Sequence, residues 1–544
     1  MSFEVRYRDM LARLGRIRTK SGTIETPILL PVINPAVQAV SPRVLREEFG
    51  CTALITNAYI LKKHGRKSVE DGIHKFLDFD GVIMTDSGAY QILVYGKANI
   101  DPAEIVEYQE KISTDIGTIL DIPTSWKATK KHARGTVDQT IERARQLTAV
   151  KSRNDILWVA PIQGGRYLDL VAHSAKQLGK LPFQIHALGS PTPIMEQYLF
   201  DTLVDMVLTA KMNMPPQRPL HLFGAGHPFM FALAVALGCD MFDSAAYAIF
   251  ARENRYMTEY GTSRLSQLQY LPCSCPICTR NTPEDLLSMP VEERHEALAK
   301  HNLHMSFAEL RRIKQNIIRG RLWEYLEARS HAHPALLQAL KRLKGYQDYI
   351  ERNSPAVKKG GILYLGHLGL MRPEIVRYKK LLKERYQPPA EAEILVLIPQ
   401  PSKRPFHNAA EIEKLENKIR MRFPQNQAAI HICVYAAPFG VVPLELDEVY
   451  PLSQNEISTP LDFETIEYVA EQVKEYIASS SYKSVIVVED FEAWKRKISS
   501  ACERVKRKDL SITVMGLKGA VDDVIIDNIV ETLQNRKFEA DPNV

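Results

Sequence analysis

Between residues 28 and 245, short apolar runs recur at intervals of 20 to 40 residues, with helically patterned stretches between them. They read ILLPVI (28–33), ALIT (53–56), GVIMTD (81–86), GTILDI (117–122), ILWVAPIQ (156–163), FQIHALG (183–189), PLHLFGAG (219–226) and MFDSA (241–245). The runs are continuous rather than alternating, as expected of strands buried on both faces. Strand–helix repetition predicts an α/β fold with a parallel sheet, and eight such units predict a (β/α)8 TIM barrel.

The ends of the runs are polar or small: Asp86, Asp121, Gln163, Gly189, Gly226 and Asp243. In a barrel the C-terminal ends of the strands form the face on which active sites are built. Asp is also a common helix N-cap, so a single one there does not define a site. Residues 305–350 predict two basic helices, the first opened by a Ser306/Glu309 capping box and the second by Pro334 in its first turn. QPPAEAE near residue 387 has the composition of a linker. After it, ILVLIP, HICVYAAPFGVV, SVIVVED and SITVMGL, with helices between them, predict a second, smaller α/β unit.

A chain of 544 residues fits two or three domains, and 45% apolar with 25% charged residues is ordinary soluble composition. The net charge of +6 permits a nucleic-acid partner without requiring one. The N-terminus is charged throughout, and no run of about 18 apolar residues occurs, which predicts neither export nor a membrane span. Cytoplasmic residence follows, and the scattered Cys51, Cys239, Cys433 and Cys502 do not suggest a disulfide framework.

Three of the seven cysteines stand together in LPCSCPIC: Cys273, Cys275 and Cys278. Thiolates on so tight a loop suit Zn²⁺, and a fourth ligand is needed to close the tetrahedron. His295, His301 and His304 are the candidates, and spacing alone does not choose among them. An iron–sulfur cluster usually takes a fourth cysteine, and none is near. A closed site of this kind is structural.

TDSGAYQ follows Asp86 with Ser87 and Gly88, small residues that let a flat ligand approach, then Tyr90 and Gln91, an aromatic face and an amide. Asp121 and Gln163 carry the groups that read the edge of a purine-like base. Two carboxylates flanking a glycosidic bond can run a double displacement, one attacking the anomeric carbon and the other moving protons. With another base as the incoming nucleophile the outcome is base exchange.

RLGRIRTKSGTIETP, TDSGAYQ, PIQGG, HALGS, FGAGHP, MFDSAAYAIFAR, LPCSCPIC and KHNLH, in that order, resemble the tRNA-guanine transglycosylases over roughly residues 1–345. FDSAAYA and the long C-terminal extension are similar to the archaeal branch. The resemblance implies exchange of guanine 15 in the tRNA D-arm for 7-cyano-7-deazaguanine (preQ0), the first step toward archaeosine. It implies Asp243 as nucleophile, Asp86 as general acid/base, and Asp121, Gln163 and Gly189 as contacts to the base, beside Ser87 and Gln91. It further implies Tyr90 and Phe223 as the rings that sandwich the base, though either can be an ordinary core aromatic. His301, in the His-Asn-Leu sequence, becomes the fourth ligand of one structural zinc. Arg311, Arg312, Lys314, Arg319 and Arg321 become candidates for tRNA phosphate contacts, unless they are a solvated helix face. A homodimer is expected, as in relatives.

The domains expected are therefore a catalytic barrel over 1–345, with a zinc-binding helical subdomain at about 270–345, and an α/β region over 346–544. RPEIVRYKKLL and APFGVVPLELDEVYPLSQ resemble the C-terminal region of archaeal transglycosylases and archaeosine synthases. Gln400 stands where the synthases' motif carries a Cys, so the synthases' thiol chemistry is not expected, and a tRNA-binding or scaffolding role is. The RNA-binding PUA module that often ends archaeal relatives is not expected either, because the chain closes on DDVIIDNIVETLQNRKF; a separate PUA protein is a candidate partner. Three other readings compete: a non-catalytic tRNA-binding paralogue, an archaeosine-forming enzyme and a nucleoside hydrolase. The retained Asp86 and Asp243 weigh against the first and Gln400 against the second. The cysteine loop with its basic helices, unneeded for a free nucleoside, weighs against the third.

Overall fold

The computed structural model describes residues 3–63, 67–89 and 101–535. The chain divides into two compact units, Met1–Pro355 and Ala356–Val544. The QPPAEAE stretch near 387 thus lies inside the second unit, not at the division.

In the first unit, β1 (Phe3–Asp9), β2 (Ala12–Arg18) and β3 (Thr23–Thr26) form an antiparallel sheet. Eight parallel strands then close into a barrel: β4 (Ile28–Ile33), β5 (Ala53–Asn57), β6 (Val82–Asp86), β7 (Ile116–Thr118), β8 (Leu157–Ile162), β9 (Ile185–Leu188), β10 (Leu220–Leu222) and β11 (Met241–Ser244). Every run predicted to be a barrel strand overlaps one, and β11 pairs with β4 to close the ring. The GTILDI run is strand only through Thr118, which leaves Asp121 on the loop beyond.

The barrel interior is filled by Leu30, Ile55, Met84, Ile116, Val159, Ile185 and Met241. Phe3, Ile17 and Ile24 of the antiparallel sheet join this core beside Ile28, Ala53 and Val82, the first residues of their strands. The sheet therefore covers the N-terminal end of the barrel, and the C-terminal end remains the mouth.

After the barrel, β12 (Arg255–Thr258) and β13 (Gly261–Arg264) make a hairpin. The expected helix start at Ser306 is not found. A single helix runs from Val291 to Arg319, and Ser306 is buried in its interior, its hydroxyl donating to the Asn302 carbonyl at 3.0 Å. Glu309 caps nothing; it is buried and accepts from Arg329 at 3.1 Å and from the Tyr325 hydroxyl at 2.8 Å. Burial along one stripe outweighed the local capping signal. Shorter helices follow at Leu322–Ser330, Pro334–Arg342 and Gln347–Asn353.

The second unit pairs β14 (Ile362–Tyr364) with β18 (Asn455–Ile457). Its main sheet holds β15 (Ile394–Pro399), β16 (Ile430–Ala436), β17 (Gly440–Pro443), β19 (Ser484–Asp490) and β20 (Ser511–Leu517). The spatial order is β17-β16-β15-β19-β20, with β17 alone antiparallel. Successive residues of β15 serve two cores: Ile394, Val396 and Ile398 on one face, Leu395 and Leu397 on the other. The unbroken ILVLIP run is the sequence trace of that double burial. Gln400, just past β15, accepts from the Ala437 backbone N–H at 3.0 Å.

Candidate active site

Asp86 ends β6 and pairs in register with Asn57 of β5, whose Nδ2 donates to Asp86 Oδ2 at 2.9 Å. Asp243 lies within β11, and its Oδ1 accepts from the Gly224 backbone N–H at 3.0 Å. Gln163 directly follows β8. Its Nε2 donates to Asp121 Oδ2, and its Oε1 accepts from the Thr124 N–H at 3.0 Å and the Ser190 hydroxyl at 3.2 Å. Gly189 follows β9, and a Cβ there would lie 2.2 Å from Gln163 Nε2. Only glycine leaves the amide room to hold its partners. Phe223 follows β10, half-buried against the barrel core. Ser87 is fully buried, and its hydroxyl has no hydrogen-bond partner among the described residues. These groups come together at the barrel mouth from the ends of seven different strands, β5 to β11. Tyr90 and Gln91 lie outside the described residues.

The carboxyls do not share one environment. Asp86 is walled by protein, apart from a partial opening at the mouth, and its pKa is pushed up to about 7. Burial is the largest cause, followed by the like charges of Asp121 and Asp243; the N–H groups of Ser87 and Gly88 pull the other way. Asp121 rises to about 6, again chiefly through burial, opposed by the Gln163 amide and the Arg143 charge. A carboxyl balanced near neutrality can both give and take a proton at working pH. An amide locked to a carboxylate presents fixed acceptors and donors to a flat ligand.

Several groups here escaped sequence reasoning: Asn57, Thr124, Ser190, Arg143 and His221. Arg143 donates to the carbonyls of Leu120 and Asp121, at 3.0 and 3.4 Å. His221 had a signal, being a polar residue inside the apolar PLHLFGAG run.

Cys273, Cys275, Cys278 and His301 bring their ligand atoms within 4.8 Å of one another, a group that could hold a metal ion. His301 Nδ1 lies 3.3 Å from Cys278 Sγ and 3.5 Å from Cys275 Sγ, and the two sulfurs are 3.5 Å apart. A zinc tetrahedron with sulfur bonds of ~2.3 Å has edges of about 3.8 Å, so the donor set fits that ion. His301 Nε2 contacts the Met257 carbonyl at 2.9 Å, and Tyr256 stacks on the ring at 3.7 Å, which fixes the imidazole. Hydrogen bonds from Cys273 and Cys278 hold the Cys275 thiol below its ordinary pKa. His304 turns instead onto Phe49, ring centroids 4.5 Å apart, and His295 is outside the group.

Of the basic candidates, Arg312 pairs with Glu259 at 2.9 Å, Lys314 with Glu25 at 3.1 Å and Arg321 with Glu324 at 3.8 Å. These three are engaged within the protein; Arg311 and Arg319 are exposed.

Fold and site define a (β/α)8-barrel protein with a carboxylate-lined mouth and a separate Cys₃His lobe. The profile of a family described as "Queuine tRNA-ribosyltransferase" matches residues 9–335, and a domain of unknown function, DUF5591, matches residues 375–533. The chain is 41% identical over 475 residues to the tRNA-guanine(15) transglycosylase of Methanocaldococcus jannaschii, covering 85% of this chain and 70% of that one. It is 43% identical over 496 residues to the protein of the same name from Saccharolobus solfataricus, covering 89% and 96%. With that of Methanococcus vannielii it is 37% identical over 553 residues, covering 98% and 81%. The chain belongs to the tRNA-guanine transglycosylases, a transferase family, and the three relatives just named are archaeal.

Proposed function

We propose that this protein exchanges guanine 15 of archaeal tRNA for preQ0 through a covalent enzyme–ribose intermediate. The observation that carries the reading is the pairing at the mouth of Asp243 with Asp86, a carboxyl lifted to about 7. Asp243 attacks ribose C1′ as the bond to guanine N9 breaks, and Asp86 protonates the departing base. The incoming base then loses its proton to Asp86 and displaces Asp243 from C1′. Asp121 and Gln163 read the edge of the base, the backbone at Gly189 contacts it, and Ser87 and Gln91 lie beside it. Phe223 and Tyr90 stack on its faces. Guanine must leave its stack to reach this pocket, which favours an opened D-arm.

Cys273, Cys275, Cys278 and His301 would hold one structural Zn²⁺, whose chemistry is to tie the lobe to the barrel. Archaeosine formation would follow in a later step, in the cytoplasm, and the working unit would be a homodimer. The test is incorporation of labelled preQ0 and labelled guanine into an archaeal tRNA transcript, with and without a PUA-domain protein. Exchange by the wild type that vanishes in Asp243→Ala is the expected result. A wild type that binds tRNA yet exchanges neither base would replace this reading with that of a non-catalytic tRNA-binding protein.

A further inference from the structure

We propose that His221 is a positioning residue that ties Oδ1 of Asp243 and leaves Oδ2 to form the bond to ribose. The inference rests on the reading of Asp243 as nucleophile. His221 sits in the middle of β10, fully buried. Its Nε2 is 2.9 Å from Asp243 Oδ1, the oxygen that also accepts from Gly224 N–H at 3.0 Å. Oδ2 makes no hydrogen bond among the described residues, so the two oxygens of one carboxylate are already distinguished.

The distance is that of a hydrogen bond, but the ring is not aligned for one, and neither ring nitrogen has a partner among the described residues. A fully buried imidazole in that condition costs stability and contributes less to packing than an aliphatic side chain would. It is explained if the bond is completed when the carboxylate turns toward substrate, as catalytic hydrogen bonds often are. The same ring meets Phe223 edge-on, centroids 4.7 Å apart, so one side chain touches both the nucleophile and a ring assigned to the base.

The role follows from the electron count. In the first half, an Oδ2 lone pair bonds C1′ while the C1′–N9 pair leaves with the base, protonated by Asp86. Oδ1 becomes the carbonyl oxygen of an ester. In the second half, the incoming N9 bonds C1′, its proton goes to Asp86, and the C1′–Oδ2 pair returns to the carboxylate. Donors on Oδ1, with the imidazole proton on Nε2, stabilise that returning charge. His221 should therefore speed departure of Asp243 more than its attack.

The experiment compares the wild type with His221→Phe, His221→Gln and Asp243→Ala. It follows guanine exchange into tRNA, the amount of covalent protein–tRNA adduct on denaturing gels, and thermal unfolding. Expected for His221→Phe are a kcat lowered about tenfold or more, a tRNA KM that falls with it because the slowed step follows attack, and more adduct at steady state. Gln, whose amide N–H can reach Oδ1, should recover part of the loss. Unchanged kcat in His221→Phe overturns the proposal, as does equal loss in Phe and Gln without a rise in adduct. Exchange or adduct surviving in Asp243→Ala would instead refute the nucleophile assignment.

Discussion

At the N-terminal end of the barrel, Asp240 is fully buried and is met by the Arg13 guanidinium, with a 3.0 Å bond from Nε. The Leu220 N–H donates to the same carboxylate at 2.8 Å. At the opposite end, Asp86, Asp121 and Asp243 share one mouth, and the burial and mutual repulsion of Asp86 outweigh its hydrogen bonds. The same side chain is neutralised at one end and left in tension at the other. An Asp paired with Arg in a closed pocket serves the fold, whereas carboxyls collected so that burial and mutual repulsion raise their pKa are useful only if charge arrives or moves there. The Cys₃His lobe follows the logic of the closed end, because each of its donors faces another donor and leaves no open position.

Substitutions at the two ends should separate activity from stability. The largest effect expected is that of Asp243→Ala: exchange falls by about a thousandfold or more, while the unfolding midpoint stays near wild type. Arg13→Leu should do the reverse. It strands Asp240 and costs about 3–5 kcal/mol in denaturant unfolding, while surviving folded protein keeps its KM for tRNA. Removing metal from the lobe by chelation should lower the midpoint, as metal analysis alongside unfolding would report, without shifting the pH profile of the remaining activity.

Asp86→Asn sharpens the contrast, since it should abolish exchange yet stabilise the fold. The folded pKa of Asp86 is raised, from 3.8 to about 7. Its contribution to stability is therefore fully present below about pH 4 and is lost as pH rises through 7. The Asn variant should gain on the order of 2 kcal/mol relative to wild type at pH 8, less at pH 6 and nothing at pH 4, after allowance for the open face of the side chain. A gain that is flat with pH would contradict the raised carboxyl. Gly189→Ala should be milder, its Cβ pushing Gln163 aside and raising the KM for the free base about tenfold with little change in stability. Smallest of all, Arg312→Ala should cost at most about 1 kcal/mol and leave tRNA affinity nearly unchanged, whereas exposed Arg311→Ala should lower the salt dependence of tRNA binding if it meets phosphate.

Much of this was legible in the chain. Continuous apolar runs gave away the barrel strands and the doubly buried β15, because a strand with core on both faces has no polar side to show. The antiparallel sheet of β1–β3 was not legible. Phe3, Ile17 and Ile24 reach the barrel core, with Val5 packed against it, while charged residues occupy much of the solvent side, so the segment reads as a charged N-terminus. The helix Val291–Arg319 was misread at Ser306 for a related reason: a capping signal is local, and the burial that overrode it comes from elements far away in sequence.

The sequence by itself determined the eight barrel strands, the cysteine spacing and the placement of Asp86, Asp121 and Asp243 at or near the C-terminal ends of those strands, since each is a property of a short segment. The tertiary structure decided which histidine faces the cysteines. Helical phase turns His301 toward Cys275 and Cys278 and sends His304 onto Phe49. It also decided that Gln163 locks Asp121, that His221 touches Asp243 and that Arg312, Lys314 and Arg321 are held in ion pairs. The physical reason is the same in each case. A carboxyl's pKa, an imidazole's partner and a cation's freedom depend on groups brought close by barrel closure and helix packing, across separations in sequence that no local pattern records.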